Sequence, residues 1–277
     1  MDPRDTYPPS DWSTVLLPTT TPDEWAKQRI SLNHEAFPQP DSKSHVWRYM
    51  DLPRFLSFLS TRSLFFTRAD LLEQEGYFPK GSEATFRAFI EKARMGGAEA
   101  AAKDWETALR ESYERNRWSV FMSCWIGKPN EDKQMWKNYA GSSGVAIRST
   151  YERLNASLPL AWRSQAVLLG KVSYGDYASL DYVKDVSNHL NIFMSKPLEY
   201  EGECEVRAVI NDFRLTKEQA SPGLTVAILP HTLVERVVTA PGSPPWFVDA
   251  VSAACRAFKL DVPVEVSALD RLVEMPF

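Results

Sequence analysis

The sequence contains few of the residues that build disulfide frameworks and metal centres. Its 277 residues include three cysteines, Cys124, Cys204 and Cys255, which are widely spaced and form no C-x-x-C pair. That spacing suggests neither a disulfide framework nor a zinc site, and free thiols fit a reducing cytoplasm. The four histidines do not cluster in the sequence either. We therefore expect a cytoplasmic protein that holds no metal.

Long apolar runs, a basic excess and several familiar catalytic motifs are also absent. No segment approaches the ~20 apolar residues of a membrane helix, and the proline-rich residues 1–9 lack the apolar core of a signal peptide. We expect no membrane partner. The net charge of -4 gives no indication of a surface that binds nucleic acid. The sequence neither supports nor excludes nucleic acid as the acceptor of a transferred group. The missing phosphate-loop, G-x-G-x-x-G, H-E-x-x-H and G-x-S-x-G motifs disfavour, in that order, ATPases, Rossmann oxidoreductases, zinc proteases and α/β-hydrolases.

What is present is an ordinary globular composition, 44% hydrophobic and 25% charged. Helical and strand patterns mix without regular alternation, which predicts an α+β fold: a single domain at 45–277 with a mixed or antiparallel sheet surrounded by helices. Residues 1–44 are predicted to be an N-terminal extension with one helix. Strands are predicted at 45–50, 64–67, 119–125, 144–149, 166–174, 203–211, 224–229, 234–239 and 262–266, with helices at 52–60, 82–117, 131–140 (capped by Asn130), 180–194 and 244–260 (capped by Ser243).

The most informative stretch carries three charged residues in alternation. Glu203, Glu205 and Arg207 would lie on one face of a strand, while the residues between them face a core. Two neighbouring carboxylates repel, which raises at least one pKa unless a cation such as Arg207 offsets the repulsion. Such a pair is suited to chemistry. The alternative is a solvated sheet face with an ion-pair ladder contributing only about 0–1 kcal/mol, and the run taken alone favours that alternative.

A second candidate lies on the strand predicted at 45–50. Arg48 stands between apolar neighbours there, and its guanidinium could hold a carboxylate or a phosphate through a bidentate fork. The alternative is an edge-strand arginine that faces water or pairs with Asp51. The sequence leaves both interpretations open.

Two further segments combine aromatic or sulfur-containing residues. Trp136 and Tyr139 are three apart on a predicted helix and hence on one face, a spacing found more often in a core than in a ligand cage. Ser123 and Cys124 end an apolar strand, where sites gather, so either could line a cleft. Cys124 has no histidine or cation nearby in sequence, and we expect it to be a buried structural thiol.

In their order and spacing, these segments resemble a bacterial family described as "domain of unknown function 2971". One departure is the loop after the second predicted strand, where the family usually has Asn/Asp-Asp-Pro-Phe-Glu and only Glu75 and Gly76 plausibly match. The resemblance covers most of the chain, and its matching segments are 47–49, 52–60, 64–67, 123–125, 135–140, 144–147, 171–174, Lys196 and 203–207.

That family is in turn similar to the ADP-ribosyltransferase superfamily, which implies a split sheet around a cleft for NAD. The resemblance implies that Glu205 stabilises the reacting ribose and that Glu203 orients or deprotonates the acceptor. Arg48 would bind the pyrophosphate or ribose, and Tyr139 or Trp136 would lie against nicotinamide. The remaining implied residues are Tyr49, Thr67 and Ser123 in the binding site, with Lys196 and Arg207 offsetting carboxylate repulsion from behind.

The leading hypothesis is therefore an NAD-dependent ADP-ribosyltransferase, or a glycohydrolase of the same fold, with NAD as substrate and an unknown macromolecular acceptor. The second hypothesis is a non-catalytic nucleotide-sensing or protein-binding module that uses the same cleft. A bacterial toxin or defence effector is a biological role compatible with the first chemistry.

Overall fold

The computed structural model describes residues 37–72, 114–162, 165–178, 190–212 and 214–272, with isolated positions between 87 and 111. The predicted N-terminal helix lies outside the described residues, as do most residues of the helices predicted at 82–117 and 180–194. The division into an extension at 1–44 and a domain from residue 45 stays a prediction.

The first helix and strand follow directly from the local sequence. Strand β1 spans His45–Asp51 and helix α1 spans Leu52–Thr61. Asp51 caps α1, because its carboxylate accepts a hydrogen bond of 2.8 Å from the backbone N–H of Arg54. The buried side of α1 has the i, i+3, i+4 spacing of an amphipathic helix and consists of Phe55, Phe58 and Leu59.

The remaining elements complete an arrangement of short helices around strands. Besides a helical stretch at 114–119, the other helices are α2 Lys133–Met135, α3 Tyr151–Ser157, α4 Pro230–Leu233 and α5 Pro245–Ala257. No helix in the described stretches is long and apolar enough to cross a lipid bilayer. The other strands are β2 Ser63–Arg68, β3 Val120–Ile126, β4 Gly144–Thr150, β5 Ala161–Trp162, β6 Gln165–Ala166, β7 Leu168–Lys171, β8 Ser173–Gly175, β9 Ser195–Pro197, β10 Glu205–Asn211, β11 Gly223–Ala227, β12 Arg236–Thr239 and β13 Val264–Val266.

These strands build one main sheet in the described part of the chain. It has nine strands in the order β11-β2-β3-β1-β4-β12-β13, with β10 beside β3 and β7 beside β10. Most neighbours pair antiparallel, whereas β12 and β13 run parallel. The predicted α+β fold with a mixed, mainly antiparallel sheet is confirmed.

The main sheet splits along one edge of β3. The opposite edge of β3 pairs with β10 over its full length. On the split edge, β3 pairs with β1 at Ile126 and with β2 at Phe121 and Met122. No described strand is paired with that edge beside residues 123–125. Strands β1 and β2 therefore diverge and leave a gap between them.

The two faces of the sheet carry different packing. Val206, Ala208 and Ile210 of β10 belong to a large buried cluster that includes apolar side chains of α1, α3 and α5. Val206 and Ala208 thus face the core as predicted, whereas Cys204, predicted for the same side, is exposed and precedes the strand. The other side of β10 carries Arg207 and Val209, and both are fully buried. The interpretation of this face as a solvated ion-pair ladder is therefore wrong.

Some element bounds differ from the sequence prediction for local reasons. The strand predicted at 166–174 is broken, because β7 pairs with β10 whereas β8 leaves the main sheet and pairs with β9. Helix α5 has Pro244 at its cap position. Ser243, the predicted cap, instead donates its hydroxyl to the Ala240 carbonyl at 2.6 Å. The described end of the helix predicted at 180–194 is a 3-10 turn, Asn191–Phe193.

A pair of glycine substitutions tests the packing beside β10. A Cβ at Gly170 would lie 2.8 Å from the backbone of Phe37, whereas a Cβ at Gly202 would meet nothing within 4 Å. We expect Gly170→Ala to lower the free energy of unfolding by about 1–3 kcal/mol. Gly202→Ala should change it by less than about 0.5 kcal/mol. Urea denaturation of the two variants measures this difference, and equal losses would contradict the packing.

Candidate functional site

The gap in the sheet opens into a cleft of about 1030 Å³. Its walls come from β1, α1, β2, β3 and the segment between β9 and β10. The lining residues that matter for chemistry are Arg48, Tyr49, Arg54, Phe65, Thr67, Cys124, Tyr139, Lys196, Tyr200, Glu203 and Glu205. Seven of the ten residues proposed from the sequence thus lie around one hollow, and the other three, Ser123, Trp136 and Arg207, lie behind its wall.

Arg48 closes the gap with its side chain. Its Nη1 donates hydrogen bonds of 2.9 Å to the Ser123 hydroxyl and 2.8 Å to the Cys124 carbonyl. Its Nη2 donates a longer bond of 3.4 Å to the Phe65 carbonyl on β2. Because β1 lies between β3 and β4, the alternative of an edge-strand arginine is wrong. Ser123 is buried beneath this guanidinium and does not reach the cleft.

Part of the Arg48 guanidinium makes no hydrogen bond to the described residues. Its acceptors among them are those of Ser123, Cys124 and Phe65, which leaves the Nε–H and one Nη2–H. Burial lowers the pKa of Arg48, and the nearby positive charge of Arg54 lowers it further, yet an arginine stays protonated in proteins. This end of the cleft is therefore basic.

Glu205 lines the same cleft, in a buried ion pair with Arg207. Arg207 Nε is 2.8 Å from Glu205 Oε1, and Arg207 Nη2 is 3.0 Å from Glu205 Oε2. Lys196 Nζ lies 3.0 Å from the same Oε2, and the Cys124 thiol also donates to this carboxylate. Burial alone would raise the pKa of Glu205, but these partners, Arg207 foremost, lower it to about 2. Glu205 is therefore an anion at neutral pH.

Glu203 does not lie on the strand that carries Glu205. It ends a 3-10 helix, Leu198–Glu203, and Cys204 follows in the left-handed region with a φ of 49°. This local reversal breaks the alternation that the sequence predicts. Even so, Lys196 Nζ lies 2.7 Å from Glu203 Oε2, so one ammonium holds both carboxylates. Lys196 lines the cleft itself rather than standing behind it.

The helix predicted at 131–140 has a different N-cap residue from the predicted one, and its second half is not α-helical. Asp132, not Asn130, is the cap, since its carboxylate accepts the backbone N–H groups of residues 134 and 135. After α2 the chain makes a π turn at Trp136–Ala140. Gly141 ends it with a φ of 65° and a ψ of -168°.

Trp136 and Tyr139 lie on different sides of that π turn. Trp136 is buried, donates its ring N–H to Glu131 at 3.0 Å and packs edge-on against Tyr49. Tyr139 is 46% exposed and lines the cleft, where burial and the charge of Glu203 raise its pKa. The prediction that the two aromatics share a face is wrong, because an i→i+5 turn is wider than an α turn.

Three cleft residues were missed or misjudged in the sequence. Cys124 is half-buried and lines the cleft, so its assignment as a buried structural thiol is wrong. Phe65 is half-exposed, and an aromatic residue on the outward side of β2 was the available signal. Arg54 is an exposed residue in the first turn of α1, and no local pattern marks it.

The described residues contain no group of three or more histidine, cysteine, aspartate or glutamate side chains that could hold a metal ion. The carboxylates of the cleft lie close to Lys196 and Arg207, and its basic end is formed by Arg48 and Arg54.

The Glu205 ion pair predicts a stability change in acid. Folding lowers the pKa of Glu205 from 4.5 to about 2, so the unfolded chain takes up this proton first as the pH falls. The stabilisation is complete above about pH 5 and is lost towards pH 2, with a size on the order of 3 kcal/mol. Urea denaturation across this range measures it. The control variant Glu199→Gln, at an exposed position, should still lose this stability in acid, and Glu205→Gln should not. If Glu205→Gln showed the same acid-induced loss, the assignment of that loss to Glu205 would be contradicted.

No protein-family model matches the chain, and no curated protein matches it. The family resemblance drawn from the ordered segments therefore stays a prediction. Among solved structures, the chain is similar to Thermus sp. 2.9 DarT in complex with ADP-ribosylated ssDNA. The match has 10% sequence identity, covers 84% of this chain and 97% of that chain, and has a TM-score of 0.37. So loose a likeness carries no argument about activity, and the chemistry has to be argued from the cleft.

Proposed function

We propose that the chain binds NAD in this cleft, breaks the bond between nicotinamide and ribose, and passes ADP-ribose to water or to an acceptor. One observation carries the proposal: a guanidinium with unused donors and a pair of carboxylates line the same hollow in the split sheet. A dinucleotide needs a basic surface for its pyrophosphate and a carboxylate beside its reactive ribose, and this cleft supplies both.

The pyrophosphate of NAD suits the basic side chains of the cleft. Phosphate oxygens accept two parallel N–H bonds from one guanidinium, and the Nε–H and remaining Nη2–H of Arg48 are the donors available for such a fork. Arg54 lies near enough to depress the pKa of Arg48. A doubly charged anion between them would relieve that repulsion.

The carboxylates of the cleft suit the cleavage of the bond between ribose and nicotinamide. The C–N bond between ribose and nicotinamide breaks with its electron pair going to the ring nitrogen, and neutral nicotinamide leaves. The ribose carbon then carries oxocarbenium-like positive charge, which a nearby carboxylate stabilises. A nucleophilic atom of water or of the acceptor donates its electron pair to that carbon. Its proton passes to a carboxylate or to solvent.

Aromatic side chains along the cleft suit the two rings of NAD. Tyr139 and Phe65 are largely exposed within the lining, and Tyr200 lies beside Lys196, whose Nζ is 5.3 Å from its ring centre. Flat aromatic faces stack on nicotinamide or adenine without fixing their identity. We therefore assign these side chains to ring contacts and the charged residues to the pyrophosphate and ribose.

Nicotinamide release and ligand binding test the proposal. The protein should release nicotinamide from NAD, and Arg48→Lys should weaken NAD and ADP-ribose binding by about 10–100-fold, because lysine cannot form the fork. Arg256→Lys is the matched control, since Arg256 is exposed on α5 outside the cleft. Nicotinamide assays and calorimetry measure both effects. Binding without turnover would favour the nucleotide-sensing module. If the protein neither binds NAD nor releases nicotinamide from it, the proposal fails.

Expression in a bacterial host tests the toxin or defence role separately. If the chain consumes NAD in the cell, inducing the wild type should arrest growth and lower the cellular NAD content. Arg48→Lys should restore growth, and Arg256→Lys should not. Normal growth with an undiminished NAD pool would contradict the toxin role while leaving the chemistry in vitro untouched.

A further inference from the structure

Glu205 has no acceptor position left for a ligand. An ionised carboxylate offers about four lone-pair positions. Arg207 takes one through Nε and one through Nη2, Lys196 approaches Oε2 at 3.0 Å, and the Cys124 thiol donates as well. The side chain of Glu205 is also only 3% exposed. A ribose hydroxyl reaching it would have to displace one of these donors.

Glu203 has the opposite properties. Its side chain is 16% exposed and lines the cleft, and Lys196 Nζ contacts its Oε2 at 2.7 Å. Its other oxygen is therefore placed to accept from a ligand. Cys204, held in the left-handed region, turns the chain so that Glu203 meets Lys196 from outside the strand.

Resting on the proposed function, we propose that Glu203 is the carboxylate that touches the ribose, and that Glu205 is a positioning residue acting on Glu203 through Lys196. Arg207 holds Glu205 from behind, and Glu205 in turn holds the ammonium that orients Glu203. Glu203 thus contacts the substrate, and the buried Glu205 holds it in position through Lys196.

Carbodiimide labelling with glycine ethyl ester, read by mass spectrometry, tests which acid faces the ligand. Glu203 should be labelled and Glu205 should not, and ADP-ribose should protect Glu203. Exposed Glu199 is the control that stays labelled throughout. Labelling of Glu205, or ADP-ribose binding that leaves Glu203 unprotected, overturns this inference but not the proposed function. If ADP-ribose does not bind and nicotinamide is not released, the proposed function fails, and this inference with it.

Kinetics test the positioning role. Glu203→Gln should lower kcat by about 100-fold or more with little change in melting temperature, whereas Glu199→Gln should leave kcat unchanged. Lys196→Met should lower kcat by about tenfold in the wild type. The double variant Glu205→Gln/Arg207→Met removes both members of the buried ion pair and so leaves neither charge unpaired. In that background, Lys196→Met should lower kcat by less than about twofold. Equal costs in both backgrounds, or full activity of Glu203→Gln, would overturn the assignment.

Discussion

The ion pair between Arg207 and Glu205 is the interaction on which the cleft depends. A guanidinium with no exposed surface is costly to bury unless its donors find partners. Glu205 and the carbonyl of Phe193 supply them. Arg207 also lies opposite Cys124 on one neighbouring strand and Gly170 on the other, so the ion pair lies on the middle one of three paired strands. The floor of the cleft is therefore part of the buried core.

Most strands of the sheet could be predicted from residue alternation. The split of the sheet along one edge of β3 could not. Strands β1 to β4 and β10 were predicted within a few residues, because a period of two with one apolar side is a local signal. The split depends on where β1 and β2 meet β3, and these strands are separated by some fifty residues or more. Local alternation could not decide whether the face that carries Arg207 is buried, since only the packing of distant segments determines whether a charged face meets solvent.

The convergence of Arg48, Glu203 and Glu205 on one hollow agrees with the sequence interpretation. Two backbone features behind it gave no usable signal. Cys204 adopts a left-handed conformation that glycine or asparagine would have marked, and the π turn that presents Tyr139 has the composition of an ordinary helix. Both are departures from regular geometry at the cleft, which is where local rules are expected to fail.

Arg48 occupies the place that a strand would take in an unbroken sheet. It joins β1 to β3 by two hydrogen bonds and reaches β2 by a weaker third. Such a joint can rotate and lengthen in ways that a ladder of backbone bonds cannot. A ligand held by the same guanidinium would therefore contact the side chain that links β1 to β3 and β2 across the gap.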